Sequence, residues 1–378
     1  MISSFKIFLC CSLYFAIISA SNLFPQKNQT INWPEPRFEQ ITIKDGLPEN
    51  SVQCMLQDHL GFLWLGTQSG LVKYDGYTMK VFLPDPDDSF SISDRMFLSF
   101  YEDKSGNLWI GTWDGGLNLF NRSTETFVRY MHKPDDSTSI DNNRVFCINE
   151  TPNGNLLIGT PEGLNLFDNK NKVFRHIYFR NLSDTMSVRS IITDRLTGNI
   201  YVCSGSKIFI YNDEKENLVQ ISNNTVLKKE LGEINSLYQA ADGTIWIAHS
   251  QGLARFNSLT GNIKNYQPSL MGLDFNVNSL ENVIEDGDGF IWAATSSSEL
   301  IWFDPRQEKF KKYLYDPENP LSLSCDCTSS LYKDRTGIIW VCNMESGLYK
   351  WDIKKISLNF IAMILIIPKV VVSTRSLL

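Results

Sequence analysis

The chain has 378 residues, 43% apolar and 20% charged, a composition of ordinary globular proteins that excludes a disordered chain. Its formal net charge of -7, a pI near 5.3 and the lack of any Lys/Arg stripe argue against a nucleic-acid partner and against docking on an anionic membrane surface.

Residues 1–21 differ in character from the rest of the chain. MISSFK carries a single Lys and precedes a 12-residue apolar run, Ile7 to Ile18, which ends in the small residues Ser19, Ala20 and Ser21. That order predicts a secretory signal peptide and hence a periplasmic protein; the alternative is an uncleaved N-terminal anchor. Beyond it, Arg37 to Thr42 (RFEQIT) reads as a strand that precedes any repeat.

From Gly61 the same phrase recurs. Its clearest copies are GFLWLGTQSGLVKYDG from Gly61, GNLWIGTWDGGLNLFN from Gly106, GNLLIGTPEGLNLFDN from Gly154 and GTIWIAHSQGLARFN from Gly243. Worn copies begin at Gly198, Gly289 and Gly337, so the spacings are 45, 48, 44, 45, 46 and 48 residues. Repeats of this period, made only of strand-like runs, predict an all-β fold: a seven-bladed β-propeller of four-stranded antiparallel blades over residues 33–355. Such an array closes as one unit, which overrides the multi-domain prior set by length.

The second repeat resolves into four runs: Met96 to Tyr101, Asn107 to Thr112, Leu117 to Phe120 and Thr126 to Met131. Between the first two lies Asp103-Lys-Ser-Gly106, the residue preference of a type I turn, repeated at Asp58, Asp286 and Asp334. The second runs, such as LWLGT and LWIGT, are apolar on both faces, so both faces are covered. Trp64, Trp109, Tyr201, Trp246, Trp292 and Trp340 are therefore expected to wedge between blades. A fourth run follows each of the first six repeats, and Arg37 to Thr42 is expected to complete the seventh blade. Ile356 to Ala362 is the weaker competitor for that place, which would otherwise leave open sheet edges.

Without the leader six cysteines remain. Cys54 and Cys147 occupy equivalent strand positions, Cys203 and Cys342 replace the glycine seen at Gly66 and Gly111, and all four read as small core residues rather than disulfides. Cys325-Asp-Cys327 has the wrong spacing for a redox or zinc motif.

Asn50-Ser51-Val52, then Asp58-x-x-Gly61-Phe62-Leu63-Trp64-Leu65-Gly66-Thr67-x-x-Gly70-Leu71-x-x-Tyr74-Asp75-Gly76, resembles the two-component regulator propeller repeat, and Asp45-Gly46-Leu47-Pro48 ahead of it fits too. The likeness runs over about residues 35 to 352. It implies the periplasmic sensor region of a Bacteroidetes hybrid two-component system histidine kinase that detects glycan breakdown products, with a membrane helix and kinase following. Residues 356–378 depart from that plan and read as a truncated or frameshifted tail, so that membrane contact is expected only through C-terminal regions this chain lacks.

Antiparallel alternation puts the loop between strands two and three of a blade on the same face as the segment leading into the next blade. A ligand there would meet Arg95, Trp113, Arg144, Arg189 and His249, with Asp114, Glu162 and Glu345 nearby. Arg and Trp suit anionic sugars and sugar-ring stacking. The four histidines fall in no metal-binding spacing, and neither a nucleophile elbow nor a phosphate-cradling Gly loop is present, so no cofactor, metal or catalytic residue is assigned. The leading expectation is a glycan-sensing ectodomain with an oligosaccharide ligand. The alternatives are an exported protein-interaction scaffold, with a homodimer or protein partner, and a polysaccharide-acting enzyme built on paired carboxylates.

Overall fold

Each Asp-x-x-Gly segment closes a hairpin. In blade 2 the Gly106 amide donates to the Asp103 carbonyl at 2.9 Å, and Gly106 sits at φ +80°, a conformation glycine adopts without strain. Asp103 Oδ1 accepts from the Ser105 and Asn107 amides, while Oδ2 accepts from Trp109 Nε1 at 2.9 Å. The same Asp–Trp bond, also 2.9 Å, joins Asp58 to Trp64, Asp286 to Trp292 and Asp334 to Trp340. The spacing of the repeat thus has a purpose beyond the turn: it satisfies the indole N–H of a fully buried Trp. Blade 3 has Thr151 and Leu157 at these two positions, so neither the donor nor the acceptor is needed there.

The computed structural model describes residues 36–179, 187–221, 231–267, 279–296, 299–313, 315–319, 321–324 and 328–352. They form seven four-stranded antiparallel sheets. Blade 2 comprises Phe97–Glu102, Leu108–Thr112, Leu117–Asn121 and Thr126–Tyr130; blade 3 comprises Cys147–Glu150, Leu156–Gly159, Leu164–Asp168 and Val173–Ile177. These lie within a residue or two of the sequence reading. Each first strand touches the first strands of both neighbouring blades, so these strands form the inner ring. Blade 7 holds Thr328–Lys333, Ile339–Asn343 and Gly347–Trp351, and its outer strand is Glu39–Ile41, as expected. Glu39 lies opposite Lys350, with which it forms a 2.9 Å ion pair, and Ile41 lies opposite Leu348. The leader, the rival strand Ile356 to Ala362, the Cys325–Cys327 pair and the 356–378 tail lie outside the described residues.

The core is a set of layers between blades. Trp64 packs its ring 4.8 Å from Phe120 of blade 2, Trp109 lies 5.4 Å from Phe167 of blade 3, and Trp292 lies 4.7 Å from Trp351 of blade 7. Where strands one and two pair, small residues are matched: Cys54 opposite Gly66, Cys147 opposite Gly159, Ser190 opposite Cys203 and Ser330 opposite Cys342. One sulfur per pair fills this layer. A second would collide with the next blade, since a Cβ on Gly159 would fall 2.5 Å from Cys147 Sγ and 2.4 Å from the Val188 carbonyl oxygen. These four cysteines are unbridged, and burial pushes their thiols well above the usual range, as core residues require.

On the Asp-x-x-Gly face the last residue of a first strand reaches back to the preceding blade's turn. The His59 amide donates to Glu102 at 2.6 Å, Lys104 to Glu150 at 3.0 Å, Arg195 to Gln239 at 2.9 Å and Ala241 to Glu285 at 2.8 Å. Across the closure the Arg335 amide donates to Gln57 at 3.0 Å. Pro152 offers no N–H for such a clasp, and at that seam Thr193 Oγ1 instead donates to Asn149 Oδ1 at 2.8 Å. Arg122 strengthens the first clasp by bonding both Asp58 and Glu102. Burial alone would raise the Asp58 carboxyl, but the bonds from Trp64 and Arg122 outweigh it and hold it below the usual range.

Candidate functional site

Three loops share one construction and shape the opposite face. In residues 85–92, the Asp88 amide donates to the Asp85 carbonyl and the Ser91 amide to the Asp88 carbonyl; in 133–140 the same bonds join Asp136 to Lys133 and Ser139 to Asp136. The third loop repeats them, with the Asn319 amide donating to the Asp316 carbonyl and the Ser322 amide to the Asn319 carbonyl. Each loop then straps the outer strand of the following blade: the Phe127 amide donates to Phe90, Phe174 to Thr138 and Phe38 to Leu321. The straps cover strand edges that would otherwise be open to pairing. Their signal, Pro-Asp-Asp-Ser-x-Ser-Ile, is printed twice, from Pro86 and from Pro134, and sequence reasoning passed over it.

Between blades 2 and 3 this face holds a depression of about 640 Å³. Its rim carries Asp114 from the blade 2 turn, Asp141 to Asn143 from the strap region, and Glu162 from the blade 3 turn. Its walls carry His132, His176 and Tyr178. His132 Nδ1 lies 2.8 Å from the Ile140 carbonyl and His176 Nε2 3.0 Å from the Ser139 carbonyl. A carbonyl can only accept, so each of those nitrogens carries a proton. Thr160 Oγ1 donates to Asp141 at 2.8 Å.

The residues expected to meet a ligand are placed unequally. Trp113 and Arg144 come together across the blade 2/3 junction, the guanidinium carbon 3.8 Å from the ring centroid, with Asp114 3.9 Å from the same guanidinium. Arg144 Nε is buried and has no hydrogen-bond partner among the described residues. Arg189 stands at the bulge in the first strand of blade 4, where it pairs with Glu233 at 3.1 Å and faces Phe146. Arg95 is exposed, between Asp94 and Met96, which accept the Asp114 and Trp113 amides at 2.8 and 3.0 Å.

His249 is different, because it is fully buried at the end of a second strand. It occupies the place of Thr67, Thr112, Thr160 and Thr295, whose hydroxyls accept an amide of the following turn. His249 Nδ1 accepts the Gln251 amide at 3.2 Å and the Gly232 amide at 3.4 Å, and Nε2–H donates to Asn265 at 3.0 Å. Burial lowers its pKa to about 4 despite the Asn265 bond, so it is a neutral turn-holder rather than a group presented to a ligand.

Among the described residues no group of His, Cys, Asp or Glu is arranged to hold a metal ion, and no helix is long and apolar enough to cross a membrane.

The fold is a seven-bladed propeller, and within it the profile described as "Two component regulator propeller" matches residues 46–69 and 91–114. Over 56 residues, 15% of this chain, the sequence is 48% identical to Histidine kinase P4 of Formosa agariphila, of which the match covers 4%. In structure the chain is similar to the extracellular domain of a B. thetaiotaomicron protein described as a hybrid two component system, with TM-score 0.69 and 23% identity over 84% of this chain and 42% of that one. It is also similar to virginiamycin B lyase from Staphylococcus aureus, with TM-score 0.61 and 11% identity over 84% of this chain and 98% of the lyase. At these identities the structural likenesses show the fold alone. The chain spans less than half the length of that extracellular domain, and its match covers 4% of the kinase.

Proposed function

We propose that the chain is the exported, ligand-sensing propeller of a hybrid two-component system, acting in the periplasm and responding to an oligosaccharide. The observation that carries this reading is the 48% identity over 56 residues to Histidine kinase P4, a protein whose name declares a signalling role. The extracellular domain with the same fold and the leader-like residues 1–21 support an extracytoplasmic place. The loop face supports a small polar ligand, because it gathers carboxylates, imidazoles, an arginine and aromatic rings at one blade junction. A catalytic role for this chain has no such support: likeness to the lyase is a likeness of fold.

The test is denaturation of the purified chain in the presence of glycan oligosaccharides. A ligand at a hundredfold excess over its Kd stabilises the native state by about 2.7 kcal/mol, which a melting curve resolves. Failure of every glycan to stabilise the chain, together with recovery of a stoichiometric protein partner, would replace sensing by a scaffold role.

A further inference from the structure

Blades 2 and 3 solve the same local problem differently. In blade 2, Asn118 is fully buried; its Oδ1 accepts the Ser93 amide at 3.1 Å and its Nδ2 donates to Ser93 Oγ at 2.7 Å. Its cross-strand neighbour, Arg129, fills the space above, with hydrogen bonds to the carbonyls of Asp88 and Ser91 in the strap. In blade 3 the equivalent Asn165 is also fully buried, and its Oδ1 accepts the Asp141 amide at 3.1 Å. Yet Asp141 turns its carboxylate to Thr160, and Asn165 Nδ2 is left without a hydrogen-bond partner among the described residues. The neighbour of Asn165 is the shorter His176, on the same side of the sheet, and above it the depression stays open.

A buried amide donor lacking a partner costs about 1–3 kcal/mol, but Asn165 does not itself line the depression, whose ligand is selected by the groups that do. Asp114, Asp141 and Glu162 face the depression and Arg144 is the guanidinium beside them, so carboxylates outnumber it three to one. Carboxylates accept hydrogen bonds from hydroxyls and would repel a sulfate or uronate, and a hydroxyl, both donor and acceptor, pairs with the outer ring nitrogens in either protonation state. Tyr178, 78% exposed on the wall, offers an apolar ring face.

We infer that the depression between blades 2 and 3 is a carbohydrate subsite for an uncharged pyranose unit with free vicinal hydroxyls, an inference that rests on the sensing reading and narrows its ligand from the acidic sugars that Arg and Trp by themselves suggest. The ligand's hydroxyls bond Asp141, Glu162, His132 and His176, and its ring lies on Tyr178.

The experiment is calorimetric titration of the purified chain with neutral tetraoses (gluco-, manno-, xylo- and galacto-) and with tetragalacturonate as the acidic counterpart. A neutral tetraose is expected to bind. His176→Arg, which imports the blade 2 plug, should weaken it at least tenfold while leaving the unliganded melting temperature unchanged or raised. Tyr178→Ala, a surface change, should weaken it about tenfold and decides the matter if the first variant fails to fold. Binding of a neutral tetraose undiminished in a folded variant, or binding of the acidic sugar alone, overturns the inference and leaves the sensing reading standing. If no sugar of either kind binds, both fall.

Discussion

Replacing His249 by Thr gives blade 5 the residue that blades 1, 2, 3 and 6 use at the same turn, and it should flatten one part of the chain's pH dependence. The native imidazole is held neutral, with its pKa lowered by burial from 6.5 to about 4. As pH falls below the unfolded value, the unfolded chain takes up a proton that the native chain refuses. Stability that is fully present above pH 6.5 is therefore lost between about 6.5 and 4, and no more is lost below that. The whole difference, about 2.5 units at 1.36 kcal/mol each, is about 3 kcal/mol, of which about 2 kcal/mol is gone by pH 5. At pH 7.5 the Thr variant should be less stable, because the ring volume and the Nε2–H bond to Asn265 are lost. Urea denaturation of both proteins at pH 7.5 and pH 5 isolates the term, since carboxylates elsewhere titrate alike in the two. The stability gap should shrink or reverse by about 2 kcal/mol at pH 5. Parallel pH profiles would show that His249 is as solvated as it is in the unfolded chain, and would refute the turn-holder role.

The repeat itself supplies two more tests. Asp103→Thr leaves the buried Trp109 N–H without its acceptor, and Trp109→Leu leaves the Asp103 carboxylate without its indole and opens a cavity. The double variant copies blade 3, so a double-mutant cycle should give a coupling of about 1–3 kcal/mol, with chemical denaturation as the readout; additive losses would mean the pair is not a unit. Replacing Ile41, 8% exposed and paired with Leu348, by Asp should unseat the closing strand. The melting temperature should fall by several degrees and light scattering should report association through the freed edge of Gly347–Trp351; an unchanged, monomeric protein would show that closure does not depend on this strand.

The repeat could be read along the chain because everything that makes it is local. Asp103, Gly106 and Trp109 lie within seven positions, and their hydrogen bonds fix the turn and the buried indole whichever blade they stand in. Strand count likewise led to the closing role of Arg37 to Thr42, since a ring with one sheet short of a strand admits few solutions. The candidate site was less legible. His249 reads as a loop residue until its alignment with Thr112 and Thr160 places it inside a strand end, and Arg189 becomes exposed only through a bulge that nothing in its neighbours announces.

Period, strand alternation and turn residues therefore determined by themselves the propeller, its seven blades and the buried wedge of aromatics, because short-range hydrogen bonding and burial act between residues close in sequence. Only the tertiary structure decided which polar groups meet across a blade junction. Asn165 Nδ2 lacks a partner because Asp141, which stands where Ser93 serves Asn118 in blade 2, has its carboxylate taken by Thr160, a meeting of groups that exists only once strands and strap are folded together.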